Sequence, residues 1–360
     1  VRPVAALSAL SLLLAACSAG KAQDPGASSG DAGSNQGPGH APLQEGPANP
    51  VGGFSIDLGD PSIPNIVATS PTDPITVAPG AELFPCIVFP LVLQGTSHIV
   101  AAGKLTTSPG LHHGNITTRP SDGTAGIHAC PSTSWTTDII GSEAFDILQG
   151  GQVLFGSTTQ IKTTEWESFP AGMGFAISDG QQVVAHMHYL NPTSGALAPK
   201  PRYDWYTIDP ATLTQQLYPF AWELKNFSVP PATQKSFKGE CALAQPMHIV
   251  NVLPHMHKLG VGLDLAYLGG PQSGQPFLTS PGYAPDGTLQ RQYTPAVDLS
   301  QGTGFSMSCT WNNTTGQTIV EGTGINEMCM IFGYAWPKAG TYSAVFSAGG
   351  TGSCVPTVAP

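Results

Sequence analysis

Turn-forming residues cut this chain into pieces too short for long helices. Its 360 residues include 43 Gly and 34 Pro, the two residue types that helix interiors tolerate least. Between the breaks stand short apolar stretches: "CIVFPLVL" (86–93), "QVLFGSTTQ" (152–160), "GMGFAI" (172–177), "QVVAHMHYL" (182–190), "MHIVNVLPHMH" (247–257) and "LDLAYLG" (263–269). Strand-favouring residues dominate them. That pattern predicts an all-β fold of sandwich or barrel type. The length suits two domains, each with its own core. A boundary near Pro219–Lys225 divides the folded part into 53–220 and 221–360.

The ends of the chain are of another kind. At the N-terminus, Arg2 precedes an apolar run of roughly a dozen residues, too short to span a bilayer. It reads as an export signal over 1–17. The run ends in Leu14-Ala15-Ala16-Cys17, which resembles a bacterial lipobox with Cys17 as the lipidated residue. Ser18 after it points to the outer membrane of a bacterial envelope. Residues 18–52 are Gly, Ser, Pro, Ala, Asp and Gln with almost no large apolar side chain, and predict a flexible tether. Any membrane contact is thus expected through the lipid alone. Net charge is −10 with no basic patch, which argues against nucleic acid as a partner. A monomer is expected.

Seven cysteines occur, at 17, 86, 130, 241, 309, 329 and 354. Setting Cys17 aside leaves an even set in an exported chain, so disulfides are expected, with the pairing open.

The histidines carry the chemistry. Only ten occur, and the tripeptide His-Met-His appears twice, at 186–188 and 255–257. His112-His113 form a further pair, and His248 stands seven residues before His255. On a strand, residues i and i+2 share a face about 6.5–7 Å apart. Two imidazoles so placed can close on one metal, and His255/His257 qualify. Adjacent residues point to opposite faces, so His112 and His113 share a metal only if the backbone bends. Gly110 and Gly114 make such a bend feasible. By the same alternation, Met187 and Met256 point away from their neighbouring histidines and are not ligands. No Asp or Glu accompanies the histidines in sequence, and Glu143 and Glu165 show no partner spacing. Imidazole with thioether, as in Met328 of "INEMCMIF", favours copper that changes valence.

The order HH, then HYxNP, then PMH-x6-HxH, then EMC resembles the copper type II, ascorbate-dependent monooxygenases. These include the peptidylglycine α-hydroxylating and dopamine β-monooxygenases. The resemblance runs from about Ile56 to Cys354. It implies two antiparallel β-sandwich domains of jelly-roll kind with a cleft between them and two copper ions per chain. The first copper, which passes electrons, maps onto His112, His113 and His188. The second, which binds O2 and hydroxylates a C–H bond, maps onto His255, His257 and Met328. Ascorbate or a similar reductant is the implied electron donor. His248 maps to a non-ligand histidine near the second site. His186 has no counterpart as a ligand; it shares a strand face with His188, which leaves it a substitute or a supporting role. The implied disulfides are Cys86–Cys130, Cys241–Cys354 and Cys309–Cys329. The last would pin the strand carrying Met328.

One departure bears on the substrate. Where peptidylglycine enzymes hold a carboxylate with Arg, Asn and Tyr, this chain has Leu253, Met330 and Phe332. An unpaired carboxylate would be costly there, so a neutral or apolar small substrate is expected. The competing reading is a non-catalytic copper-binding or storage lipoprotein on the same fold. A zinc hydrolase is weaker, because Met is a poor zinc ligand and no catalytic carboxylate is placed.

Overall fold

The computed structural model describes residues 46–58 without 48, 75–91, 98–129, 151–157, 163–178, 180–243, 245–283, 290–300, 302, 304–322, 325–337, 342–347, 349 and 351–353. Cys17, Cys130, Glu143 and Cys354 lie outside them. Everything described belongs to one compact unit, 38–360. Its regular structure is strand, apart from one 3-10 turn at Pro210–Thr212. No helix among the described residues is long and apolar enough to cross a membrane. The all-β expectation holds.

In the N-terminal half two sheets enclose a core. The first runs in the order Gly52–Asp57, Arg202–Ile208, His98–Thr106, Met173–Ile177 and Gln215–Gln216, with Thr164–Ser168 also paired to His98–Thr106. The second runs Gly126–Ala129, Pro85–Pro90, Gln181–Leu190, Leu111–Pro120 and Val153–Phe155, with Glu82–Leu83 against Gln181–Leu190. Strand alternation decides what enters the core. From Gln181–Leu190, Val183, Ala185, Met187 and Tyr189 pack among Ile56, Val100, Tyr203 and Trp205. His186 and His188 therefore fall on the other face of the same strand.

Two segments were expected to belong to the tether and do not. Gly52 already pairs with Thr207 in the first sheet. The backbone N–H of Gly46 donates to Ser168 Oγ at 3.3 Å. Backbone pairing needs no apolar side chain, so composition does not reveal it.

In the C-terminal half a third sheet runs Arg291–Asp298, His248–His255, Met330–Trp336, Tyr218–Lys225 and Tyr342–Ser347. A fourth runs Pro276–Ser280, Gly260–Leu268, Gly304–Asn313, Thr233–Ala242 and Thr351–Ser353. Trp222 of the third sheet stacks on Phe305 of the fourth with ring centroids 3.6 Å apart. Both are buried, each worth on the order of 2–3 kcal/mol of transfer free energy. The change from first-half to second-half sheets falls between Gln216 and Tyr218, just ahead of the boundary expected from sequence.

Cys309 and Cys329 form the implied disulfide. Cys86 and Cys241 are also disulfide-bonded, and their expected partners lie outside the described residues.

The halves share packing. On Met330–Trp336 the odd residues Ile331 and Ala335 enter the C-terminal core. Tyr334, on the opposite face, belongs with Val250 to the N-terminal core. Its ring stacks on Phe175 at 5.4 Å and meets Phe169 edge-on at 4.8 Å. Its hydroxyl donates to the Val153 carbonyl at 2.8 Å.

Candidate metal centre

The geometry of His112 and His113 is set by a register shift. Along the paired strands Gly114 faces Met187 and His113 faces His188, but Tyr189 faces Leu111. His112 is thus the extra residue of a β-bulge, the device that re-aims a side chain within a sheet. The bulge cancels the alternation that would have sent the two rings apart. Their Nδ1 atoms lie 3.0 Å from each other. Behind the pair, Gly114 leaves room for Met187 and Tyr203. A Cβ there would lie 2.6 Å from Met187 Cε and 2.7 Å from Tyr203 Oη.

His188 completes the set across the ladder. Ring centroids of His112 and His188 are 4.5 Å apart, and those of His113 and His188 4.8 Å. One nitrogen from each of the three rings lies within 4.8 Å of the others. Phe84 stacks on the His188 ring at 4.3 Å. Glu82 stands 2.6 Å from His188 Nε2. A carboxylate accepts, so Nε2 carries the proton and Nδ1 is left with a lone pair. A carboxylate on one ring nitrogen, with the other left free, is the usual support where a histidine ligates a metal. Sequence reading found no acidic companion because Glu82 is remote along the chain and reaches His188 only through the pairing of Leu83 with Tyr189.

The rings are held neutral. Burial, then the neighbouring imidazoles, lowers His112 to about 4 and His188 to about 3. His113 is pushed well below its ordinary value by burial and by His188, His112, His255 and His257. The contact of His188 with Glu82 is therefore a hydrogen bond from a neutral ring. Neutral imidazoles with free lone pairs are the state a metal needs.

The second histidine pair differs from the sequence expectation in one respect. His255 ends its strand, whereas His257 lies beyond it, just before the turn at Lys258-Leu259. What places His257 is a set of hydrogen bonds, not strand periodicity. Its Nδ1–H donates to the Asn326 carbonyl at 2.9 Å, which leaves Nε2 with the lone pair. Its backbone N–H donates to Glu327 Oε2 at 3.0 Å. Glu327 also accepts from Leu259 N at 2.8 Å and Trp311 Nε1 at 3.1 Å. Burial pushes its carboxyl up to about 7, against the donors that lower it.

Met328 is buried and follows these two residues directly. It lies in the connection before Met330–Trp336 rather than on the strand itself. Asn326 and Glu327 hold His257 on one side of it, and Cys329 is bridged to Cys309 on the other. Glu327 carried no role in the sequence reading, although the Glu-Met-Cys motif contains it. Burial, then the neighbouring imidazoles, lowers His255 to about 3, and burial lowers His257 against the bond to Asn326.

The two histidine sets are neighbours. Ring centroids of His113 and His255 are 6.2 Å apart, and those of His255 and His257 5.3 Å. Leu253, Met330 and Phe332 share the sheet face of His255, since Leu253 pairs with Phe332 and His255 with Met330. Phe332 lies 6.4 Å from the His255 ring. Leu253 and Met330 are buried and Phe332 is half-buried.

Two expected supporting residues stand elsewhere. His248 begins the strand that His255 ends, roughly 20 Å along it. Its ring stacks on Trp336 and faces Asp298 at 3.5 Å, so it is not beside the second pair. His186 shares the strand face of His188, but its ring nitrogens meet Cys86 Sγ at 3.4 Å and Thr117 Oγ1 at 3.2 Å. It does not join the three-imidazole set. Glu165, which showed no partner spacing, stands near a second acid, Glu167. Burial and Glu165 together hold the Glu167 carboxyl well above its ordinary value.

No protein-family model and no curated protein sequence matches the chain. Among solved structures, the STIV MCP is similar at 9% identity over 75% of this chain and 96% of its own, with a TM-score of 0.33. The major capsid protein P2 from bacteriophage PM2 is similar at 11% identity over 76% of this chain and 98% of its own, also at 0.33. Likeness at that level carries no argument about function, which rests on the histidine cluster alone.

Proposed function

We propose that the chain is a copper-dependent monooxygenase. It hydroxylates a C–H bond of a neutral or apolar small molecule, using O2 and a one-electron reductant such as ascorbate. One observation carries the reading: a bulge-built set of three neutral imidazoles lies against a histidine pair tied to the backbone around a methionine.

The donor set fits copper. Imidazole suits its cupric state, and thioether favours the cuprous one. His112, His113 and His188 hold one ion, and His255, His257 and Met328 hold the other. When bound, copper supplies the one-electron chemistry and the affinity for O2. The protein supplies position and exclusion of water. Glu82 fixes the tautomer of His188, and the Asn326 carbonyl fixes that of His257. Leu253, Met330 and Phe332 present an apolar surface beside His255, with no cation for a carboxylate. A substrate and an electron donor are then the partners, on a chain anchored at Cys17 in the bacterial envelope.

The burial of Leu253 and Met330 favours one other reading, a non-catalytic copper-binding or storage lipoprotein. Oxygen uptake separates the two. The copper-loaded chain with ascorbate should consume O2 in step with a hydroxylated product from a panel of neutral, apolar substrates. Uptake without product, at two coppers bound, would favour storage. Turnover of a glycine-extended peptide would overturn the substrate class.

A further inference from the structure

We infer that the two half-sites form one five-histidine pocket in which two metal ions are charge-coupled, each weakening the binding of the other. The inference rests on the copper-binding reading but not on any catalytic activity. Two observations carry it. The rings of His113 and His255, one from each half, lie 6.2 Å apart, and His257 lies 5.3 Å from His255. The halves are held in this relation by Tyr334, whose ring enters the N-terminal core and whose hydroxyl is bonded to Val153. Leu253 adds to the closure, since a Cβ at Gly156 would touch its Cδ2 at 3.8 Å.

Two divalent ions in such a pocket repel each other through a medium far less screening than water. The second therefore binds more weakly than its own ligands would allow. For two monovalent ions the repulsion falls to about a quarter, because it scales with the product of the charges. Reduction of both ions thus relieves most of the penalty.

The test is a titration of the full metal-free chain with Cu(II) and, separately, with Cu(I). His257→Ala isolates the three-imidazole half-site, and His112→Ala isolates the other. With Cu(II), the second step in the native chain should be at least about tenfold weaker than the same half-site alone. With Cu(I) the difference should shrink to less than about threefold. Native curves that superpose on the sum of the two variants would overturn the coupling and leave copper binding intact. No copper bound by any of the three chains would overturn both. One check needs no variant. The electron paramagnetic resonance spectrum at two equivalents of Cu(II) should be broadened relative to that at one. A spectrum that merely sums two unbroadened signals would also overturn the inference.

Discussion

His112 is the bulged residue opposite His188, and its Nδ1 comes to 3.0 Å from that of His113. Two imidazole nitrogens that close either share a proton or face a common cation. Burial keeps both rings neutral, so in the metal-free chain one Nδ1–H donates to the other ring, and the same two nitrogens are placed to face a common cation. On the core side of the same strand, Met187 and Tyr203 close over Gly114. Gly114→Ala should force Met187 and Tyr203 apart, at a cost of about 1–3 kcal/mol. Thermal denaturation should show the loss, and metal analysis should show the three-imidazole half-site emptied first. Full copper loading in this variant would show that the bulge is dispensable.

Glu82 is half-exposed and touches the site only through His188. Glu82→Ala should leave the metal-free chain about as stable as before. Copper affinity of the three-imidazole half-site should drop about 10–100-fold, the usual effect of removing a ligand's orienting partner. Competition with a chelator measures it, and unchanged affinity would remove Glu82 from the site.

Glu327 satisfies three buried donors, His257 N, Leu259 N and Trp311 Nε1. Glu327→Ala orphans all three and should cost about 3 kcal/mol or more. Copper stoichiometry should fall from two toward one, with the loss at the half-site of His255 and His257. Glu327→Gln keeps the volume and one acceptor, so it should recover part of both. Equal loss in the two variants would argue against a hydrogen-bonding role.

Met328 is assigned to that same half-site. Met328→Ala should abolish product formation while the three-imidazole half-site still binds copper with native affinity. Activity at the native rate would sink the assignment.

Glu167 gives a pH signature unrelated to metal. Burial and Glu165 raise its folded-state pKa above the ordinary 4.5. The folded chain therefore holds more protons than the unfolded one across that window. Its contribution to stability is full below about pH 4.5 and is lost as pH rises. Glu167→Gln should raise the melting temperature at pH 8 and change it little at pH 4. The opposite trend would mean that Glu167 is ionised and paired.

Strand periodicity made much of this protein legible beforehand. The turn-punctuated apolar stretches called for an all-β fold, and alternation turned Met187 away from His186 and His188, into the core. The histidines singled out as ligands do converge. Periodicity failed where a position is set by contacts rather than by spacing. His257 lies off its strand because Asn326 and Glu327 draw it there. His248 sits far from His255 because the two residues stand at opposite ends of one strand. Glu82 and Glu327 were silent because a carboxylate's partner is chosen by the ladder and the turn that bring it near, not by neighbours in the chain.

The sequence by itself determined the element type, the supply of imidazole and thioether, and the apolar identity of Leu253, Met330 and Phe332. Those are properties of residue type and local period. Only the tertiary structure decided that one extra residue at His112 turns two opposed rings to one side. It also decided that Tyr334 crosses into the N-terminal core and brings His113 against His255. Register and interface are settled by packing between segments remote in sequence, where a one-residue shift reverses every side chain.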